Sequence, residues 1–332
     1  MSLTSHLDNR SSPIGQFIKQ CFAHTNVLTK EPNRQLKNVQ TLRPALQAGE
    51  QYPYGLIGTA IDYRIRYIFG ITPYQKLVAW DGAMKLIAKA WESDDDIPFD
   101  WENIPVRFPL PAGTSGNFLK LAEGPYPFKL VQAFFAGLDT VLQTVQPVGR
   151  LLEPEAEHTL DRYCVVLSYF EQVFRSSAYL QGPLMQPAVK QSMAELLAIP
   201  QEAWLNDMRE MVSLFFARYQ HLLSRPHILN PTFAGSPDIG GADADLVVDG
   251  CLIDIKTTIF AQIKAEYLYQ LAGYLLLDYN DALHINAMAI YLARQGILFA
   301  WPVAEFLQKL TNDENVSLAE LRREFQMLLQ RC

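Results

Sequence analysis

Long apolar runs are missing from this sequence, and their absence argues against a membrane protein. No uninterrupted apolar stretch reaches the roughly 18 residues that a bilayer-spanning helix needs. The most apolar helix candidate, residues 130–146, is broken by Gln132, Asp139 and Gln143. The N-terminus, MSLTSHLDNRSSPIG, contains no apolar core of a secretion signal. We therefore expect a cytoplasmic protein with no membrane partner.

Cysteine is also scarce, and its spacing excludes the common cysteine-based metal sites. The four cysteines, Cys21, Cys164, Cys251 and Cys332, form no C-x-x-C pair and no Cys/His pattern. Such scattered cysteines fit a reducing compartment and argue against a zinc or iron–sulfur site.

Charge is low for the length, and positive charge is in deficit. Charged residues make up 19% of the 332 residues, and the formal net charge is -7. A nucleic-acid partner favours a cationic surface, so this balance counts against one. Residues 1–90, however, hold 11 Lys and Arg against 5 Asp and Glu. This basic third is a candidate nucleic-acid contact; the alternative is an acidic protein whose N-terminal third has no such role.

The apolar periodicity divides the chain into a helical part and a mixed part. Residues 1–200 are mainly helical, interrupted by a proline-rich extended loop over 93–127, and include a helix near 56–70. Residues 201–302 follow the order helix, three strands, helix, two strands, and residues 303–332 form C-terminal helices. This order predicts an α/β (α+β) core with a central mixed sheet flanked by helices. The predicted strands are 228–234, 243–248, 251–257, 285–293 and 296–301, and the helix between them is 262–279.

A β-hairpin is the most specific local signal. Asp249-Gly250 between two apolar runs is typical of a two-residue type I′ turn, which fixes the register of both strands. Asp245 is then expected opposite Asp254, and Asp243 opposite Lys256. The other face of the hairpin is wholly apolar and suits a core: Leu246, Val248, Cys251, Ile253 and Ile255.

Two carboxylates directly opposite each other repel, and a bound cation offsets that repulsion. Mg²⁺ or Mn²⁺ suits such oxygen ligands. Lys256, on the same face, can steady the attacking water or the charge that builds on a phosphate. The alternative is a polar outer face on which Lys256 merely pairs with Asp243.

These residues resemble the PD-(D/E)XK nuclease motif. The resemblance implies that Asp245, Asp254 and the main-chain carbonyl of Ile255 bind the metal, and that Lys256 is the catalytic lysine. Ala244 stands where the family has proline, and Asp243 is a second choice for the first acid. The match implies a restriction-endonuclease-like core.

Fourteen residues after Lys256, the helix carries Gln270-Leu271-Ala272-Gly273-Tyr274. Gln270 and Tyr274 share one helix face, and the pattern is similar to the Q-x-x-x-Y signature of RecB-like exonucleases. The resemblance implies that both side chains line the site and contact the DNA strand. It covers roughly residues 201–301, under a third of the chain.

Three further residues are weaker site candidates. Asp62 lies where RecB-like nucleases have a metal-binding histidine; the alternative is a surface pair with Arg66. Glu210 precedes the first strand on a helix, as a glutamate does in some relatives, and can instead face solvent. Lys264, at the start of the next helix, is a candidate phosphate contact.

We therefore predict an Mg²⁺- or Mn²⁺-dependent deoxyribonuclease, in an anti-phage defence or DNA-processing system. The alternative is a catalytically idle module of the same fold that binds or regulates within a larger assembly. A protein partner or a homo-oligomer is compatible with either.

Overall fold

The computed structural model describes residues 2–46, 49, 51–91, 128–145, 151–175, 182–186, 189 and 192–331. The chain divides into two compact units. Unit 1 combines Met1–Arg43 with Ala217–Cys332, and unit 2 is Pro44–Phe216.

Unit 1 contains a mixed sheet of five strands within the described residues. The strands lie side by side in chain order. Only the neighbours β3 and β4 are parallel, and the other pairs are antiparallel. The strands are β1 (His227–Leu229), β2 (Leu246–Val248), β3 (Cys251–Lys256), β4 (Ala287–Leu292) and β5 (Ile297–Pro302).

Helices cover the sheet because a parallel strand pair needs a crossover connection. The crossover from β3 to β4 is helix α10 (Ala265–Leu277), which packs against helices from both ends of the chain. The helices of unit 1 are α1 (Leu3–Asp8), α2 (Pro13–Cys21), α3 (Thr25–Leu36), α10 (Ala265–Leu277), α11 (Val303–Thr311) and α12 (Leu318–Leu329).

Both faces of the sheet are buried. On one face Val247 and Leu252 join the apolar cluster formed with α10 and α1–α3. On the other face Leu246 and Ile253 are buried, and the ring of Tyr291 packs edge-on against Tyr219 at 5.5 Å. Burial on both sides explains why β4 is apolar at nearly every position and why β3 is apolar from Cys251 to Ile253.

The described part of unit 2 is helical and unusually rich in buried charge. Arg64 pairs with Glu157 at 2.5 Å and with Asp161 at 3.6 Å, and all three are buried. The helices of unit 2 are α4 (Tyr54–Phe69), α5 (Val78–Trp91), α6 (Phe128–Val145), α7 (Pro154–Arg175), α8 (Met193–Leu197) and α9 (Glu202–Tyr219). The last residues of α9, from Ala217 onwards, belong to unit 1.

Unit 1 consists of two chain segments, and the residues next to the unit boundary in both segments form hydrogen bonds with the same turn. The turn between β4 and β5 spans residues 293–296. Leu42 donates its amide to the Arg294 carbonyl at 2.9 Å, and the Arg218 guanidinium donates to the Gly296 carbonyl at 2.8 Å. Residues 42 and 218 are therefore held at one place in unit 1.

The order of elements from 201 to 302 and the mixed sheet are confirmed. The first two strands are shorter than expected, because Asn230 adopts a left-handed φ of 48° and Pro231 follows it. The domain bounds differ: residues 1–43 belong with the sheet rather than with 44–200, because α1–α3 bury their apolar faces on α10 and α11. The predicted loop 93–127 lies outside the described residues. Among those that are described, no helix has the length and apolar character required to cross a membrane.

Candidate active site

The hairpin turn has the geometry expected of Asp249-Gly250. Both residues have positive φ, 51° and 76°, as a type I′ turn requires. The register is confirmed: Val248 lies opposite Cys251, Val247 opposite Leu252, and Leu246 opposite Ile253.

The ladder between β2 and β3 ends at Leu246, one residue before the predicted acid pair. There Asp245 turns its carboxylate onto the backbone of β3, and the Ile255 amide donates to its Oδ2 at 2.6 Å. Asp245 was expected to lie opposite Asp254 in the ladder. Its carboxylate instead accepts a hydrogen bond from the backbone amide of Ile255, the residue after Asp254. The amide stabilises the carboxylate without any metal.

The polar face of the hairpin is not an outer face. Asp254 is only 2% exposed, because α10 covers this side of β3. An outer face was the alternative for this side of the hairpin, where Asp245, Asp254 and Lys256 lie together. The crossover helix α10 covers Asp254, whereas the side chain of Lys256 keeps 19% of its surface exposed.

Lys256 joins the acidic strand to α10. Its Nζ lies 2.6 Å from Asp254 Oδ2 and donates to Gln270 Oε1 at 2.9 Å. At that distance the contact with Asp254 is a charge-assisted ion pair. Lys256 pairs with Asp254, not with Asp243 as the alternative had it.

Charge and burial act in opposite directions on this pair. Burial lowers the pKa of Lys256, but the charges of Asp254 and Asp245 outweigh that effect and raise it. Burial also raises the pKa of Asp254, and Lys256 offsets only part of the rise. Lys256 is therefore protonated at neutral pH and acts as a cation, not as a base.

Gln270 and Tyr274 continue the network on α10. Gln270 Nε2 donates to the Tyr274 hydroxyl at 2.7 Å, and the Tyr274 ring stacks on Phe233 at 5.3 Å. Burial raises the pKa of Tyr274 well above its usual value, and the charges of Asp254 and Asp245 add to the rise. Tyr274 is 6% exposed, so it orients Gln270 rather than offering a surface to a strand.

The donor set fits a divalent cation held mainly by water. Asp254 supplies a buried carboxylate that is paired with Lys256, and Asp245 brings a second carboxylate to the same strand. Mg²⁺ is typically held by one or two carboxylates and keeps several waters. A closed cage of protein ligands is absent from the described residues, which contain no group of three or more His, Cys, Asp or Glu able to hold a metal.

The weaker candidates are spread over both units. Asp243 is half-buried and bridges to Thr232 at the end of the hairpin. Lys264 caps α10, with its Nζ 5.8 Å from the ring centroid of Phe260. Asp62 and Glu210 belong to unit 2. Asp62 pairs with Arg66 at 2.5 Å, as the alternative anticipated, but Arg66 is buried and the pair is not a surface pair. Glu210 is exposed on α9.

Tyr267 is a site residue that the sequence reasoning missed. Its ring lies 5.2 Å from Lys256 Nζ, as a cation–π partner. Tyr267, Gln270 and Tyr274 are spaced i, i+3 and i+7, so one helix face carries all three. That spacing was a signal in the sequence.

The site therefore brings together Asp245, Asp254, Lys256, Gln270 and Tyr274, all in unit 1. Comparison with known proteins adds no relative: no family model, no curated protein and no solved structure matches the chain.

Proposed function

We propose that the chain is a metal-dependent nuclease of the PD-(D/E)XK type that hydrolyses phosphodiester bonds, most simply in DNA. One observation carries the proposal. A protonated lysine, Lys256, is fixed 2.6 Å from the buried carboxylate of Asp254 and 2.9 Å from Gln270, at the end of a strand beside Asp245. A fixed cation beside acidic ligands suits the charge of a phosphodiester in its transition state.

Asp245, Asp254 and the carbonyl of Ile255 would hold Mg²⁺ or Mn²⁺. When bound, the cation supplies positive charge to the phosphate and a more acidic water. Lys256 orients the phosphate or the attacking water, and Gln270 fixes Lys256. The water oxygen bonds to phosphorus and gives up a proton to solvent as the phosphorus–oxygen bond to the sugar breaks, and the departing oxygen takes up a proton from solvent.

The acidic net charge does not oppose this proposal. Unit 1 holds 15 Lys and Arg and 15 Asp and Glu, so all of the net charge of -7 belongs to unit 2. The segment 1–43, whose helices pack on α10 and α11, holds 6 Lys and Arg against 2 Asp and Glu. A neutral unit with a basic N-terminal segment is compatible with a phosphate backbone.

The test is cleavage of single-stranded and duplex DNA by the full chain with Mg²⁺, with Mn²⁺ and with EDTA. We expect cleavage only with metal, and a loss of roughly 100-fold or more in Lys256→Ala and Asp254→Ala. Asp245→Asn is the gentler variant, because an amide oxygen still accepts from Ile255 while the charge is lost.

Lys309→Ala is the matched control, since Lys309 forms an ion pair with Glu305 on α11 and both side chains are 41% exposed. Its activity should equal that of the unmodified chain. Cleavage that survives unchanged in folded Lys256→Ala and Asp254→Ala would reject the proposed site.

The ion pair itself favours a second candidate. Lys256 already neutralises Asp254, so the site is complete without a metal. Such a site suits a catalytically idle fold that binds or regulates within an assembly, as a homo-oligomer or with a protein partner. DNA binding without cleavage in Mg²⁺ and Mn²⁺, together with a stable complex in size-exclusion chromatography, would support it.

A further inference from the structure

The loop between β3 and α10, residues 257–264, presents an aromatic ring to solvent. Phe260 is 61% exposed, the highest fraction among the exposed large hydrophobic side chains of the described residues. It lies four residues after Lys256, so its Cα is within about 14 Å of that of Lys256. An exposed phenylalanine next to a candidate active site calls for a physical explanation.

The first half of this loop is anchored through its backbone. The buried Arg294 donates its Nε to the Thr257 carbonyl at 2.9 Å. Gln295, also buried, donates to the Thr258 carbonyl at 3.3 Å. The loop therefore leaves β3 along a fixed path.

The second half is anchored by α3. Asn33 accepts the Ile263 amide at 2.7 Å and donates to the Ile263 carbonyl at 3.0 Å. Ile263 itself is buried. At the tip, Phe260 donates its amide to the Thr258 hydroxyl at 3.1 Å, and its carbonyl accepts from Gln262 at 2.8 Å. The backbone of this loop is thus fixed by hydrogen bonds on both sides of Phe260, and the exposed position of the ring is part of the ordered loop structure.

A cation accompanies the ring. Lys264 Nζ lies 5.8 Å from the ring centroid of Phe260, within cation–π range. A flat apolar face next to a positive charge matches one nucleotide, whose base stacks on the ring and whose phosphate meets the ammonium. Base stacking on an aromatic side chain tolerates any sequence, because every base has a π face.

Resting on the nuclease function proposed above, we propose that Phe260 is the stacking platform for an unpaired base of the substrate strand, with Lys264 at the adjoining phosphate. A base inside a duplex has both faces covered by its neighbours. The substrate class is therefore single-stranded DNA, or duplex DNA with a single-stranded end.

The test measures binding, apart from cleavage, with the full chain in EDTA. The probe is a 12-nucleotide single strand that contains one 2-aminopurine, whose fluorescence falls on stacking, beside a blunt duplex of the same sequence. Phe260→Leu keeps an apolar side chain without a π face, and Phe260→Trp keeps the π face. Met327→Ala is the control, because Met327 is 44% exposed on α12.

We expect Phe260→Leu to weaken single-strand binding roughly 5- to 100-fold and to abolish the 2-aminopurine quench. Phe260→Trp and Met327→Ala should bind as the unmodified chain does, and blunt-duplex affinity should not change. Unchanged single-strand affinity in Phe260→Leu, equal losses for strand and duplex, or no single-strand binding at all would overturn the inference. The first of these outcomes would leave the ring as a protein contact.

The two proposals fail in different assays. The nuclease proposal fails if the unmodified chain does not cleave DNA in Mg²⁺ or Mn²⁺, whatever Phe260 does. The stacking inference fails on binding alone, so strand binding that depends on Phe260 without cleavage would support the platform and reject the nuclease.

Discussion

The buried ion pair between Lys256 and Asp254 leads to a quantitative prediction about stability. In Lys256→Met the carboxylate of Asp254, 2% exposed, loses its ion pair with Lys256, and its buried charge is left uncompensated. Breaking a buried pair in this way costs about 3–5 kcal/mol. Replacing both members, as Lys256→Met with Asp254→Leu, removes the charge together with its partner and is about neutral or stabilising by about 1–4 kcal/mol.

The single variant should therefore be less stable than the double variant. Asp254→Leu alone leaves Lys256 with Gln270 as its acceptor, at a cost of about 1–3 kcal/mol. The single effects would then add to about 4–8 kcal/mol, whereas the double variant should lose little or nothing. The difference is the coupling energy of the pair.

Amide hydrogen exchange of β3 is the suitable assay, because a chain with two units does not have one defined unfolding free energy. Lys309→Met is the control; its exposed pair with Glu305 should be worth less than about 1 kcal/mol. A double variant whose loss equals the sum of the single losses would refute the reasoning, since it would mean that the two charges do not stabilise each other.

Two other predictions concern the hairpin. Gly250→Ala should destabilise unit 1 by about 1–2 kcal/mol or more, because φ is 76° and the new Cβ would sit 2.4 Å from Asn286 Nδ2; an unchanged melting temperature would contradict this, and Asp249→Asn, which tolerates the same φ, is the control. Burial raises the pKa of Cys251 from 9.0 to about 11. Alkylation of Cys251, followed by mass spectrometry, should therefore accelerate up to pH about 11, and a plateau near pH 9 would contradict the burial. Since the unfolded thiol ionises first, unit 1 should also lose stability as the pH rises from 9 to 11.

Local chemistry made the hairpin predictable from the sequence. Asp249-Gly250 fixes the turn, and a two-residue turn fixes the pairing of Val248 with Cys251 and of Leu246 with Ile253. The order of strands and helices could also be predicted from the apolar periodicity, because the period changes from strand to helix and back to strand over β3, α10 and β4.

Contacts between distant segments were not predictable in the same way. The face that carries Asp254 is buried by α10 and helices near the N-terminus, and Asn33 contacts Ile263 across 230 residues. No periodicity within 201–302 specifies which helices cover a sheet. Such contacts also group residues 1–43 with the sheet, which no local pattern in the sequence indicates.

The contact made by the Asp245 carboxylate could not be predicted from the sequence pattern either. A regular ladder would place it opposite Asp254, but the left-handed residue Asn230 and Pro231 interrupt the neighbouring strand. Asp245 leaves the ladder there and accepts the Ile255 amide. A strand irregularity of one residue thus decides what its carboxylate binds.

The hydrogen bonds to the turn between β4 and β5 have a consequence for the way residues 44–216 are joined to unit 1. Because Leu42 and Arg218 are both bonded to this turn, the polypeptide leaves the sheet-bearing unit and returns to it at neighbouring points. A segment whose two ends lie close together is tolerated as an insertion in another unit. Residues 44–216 thus begin and end at one place of the sheet-bearing unit, and their length does not set the distance between Leu42 and Arg218.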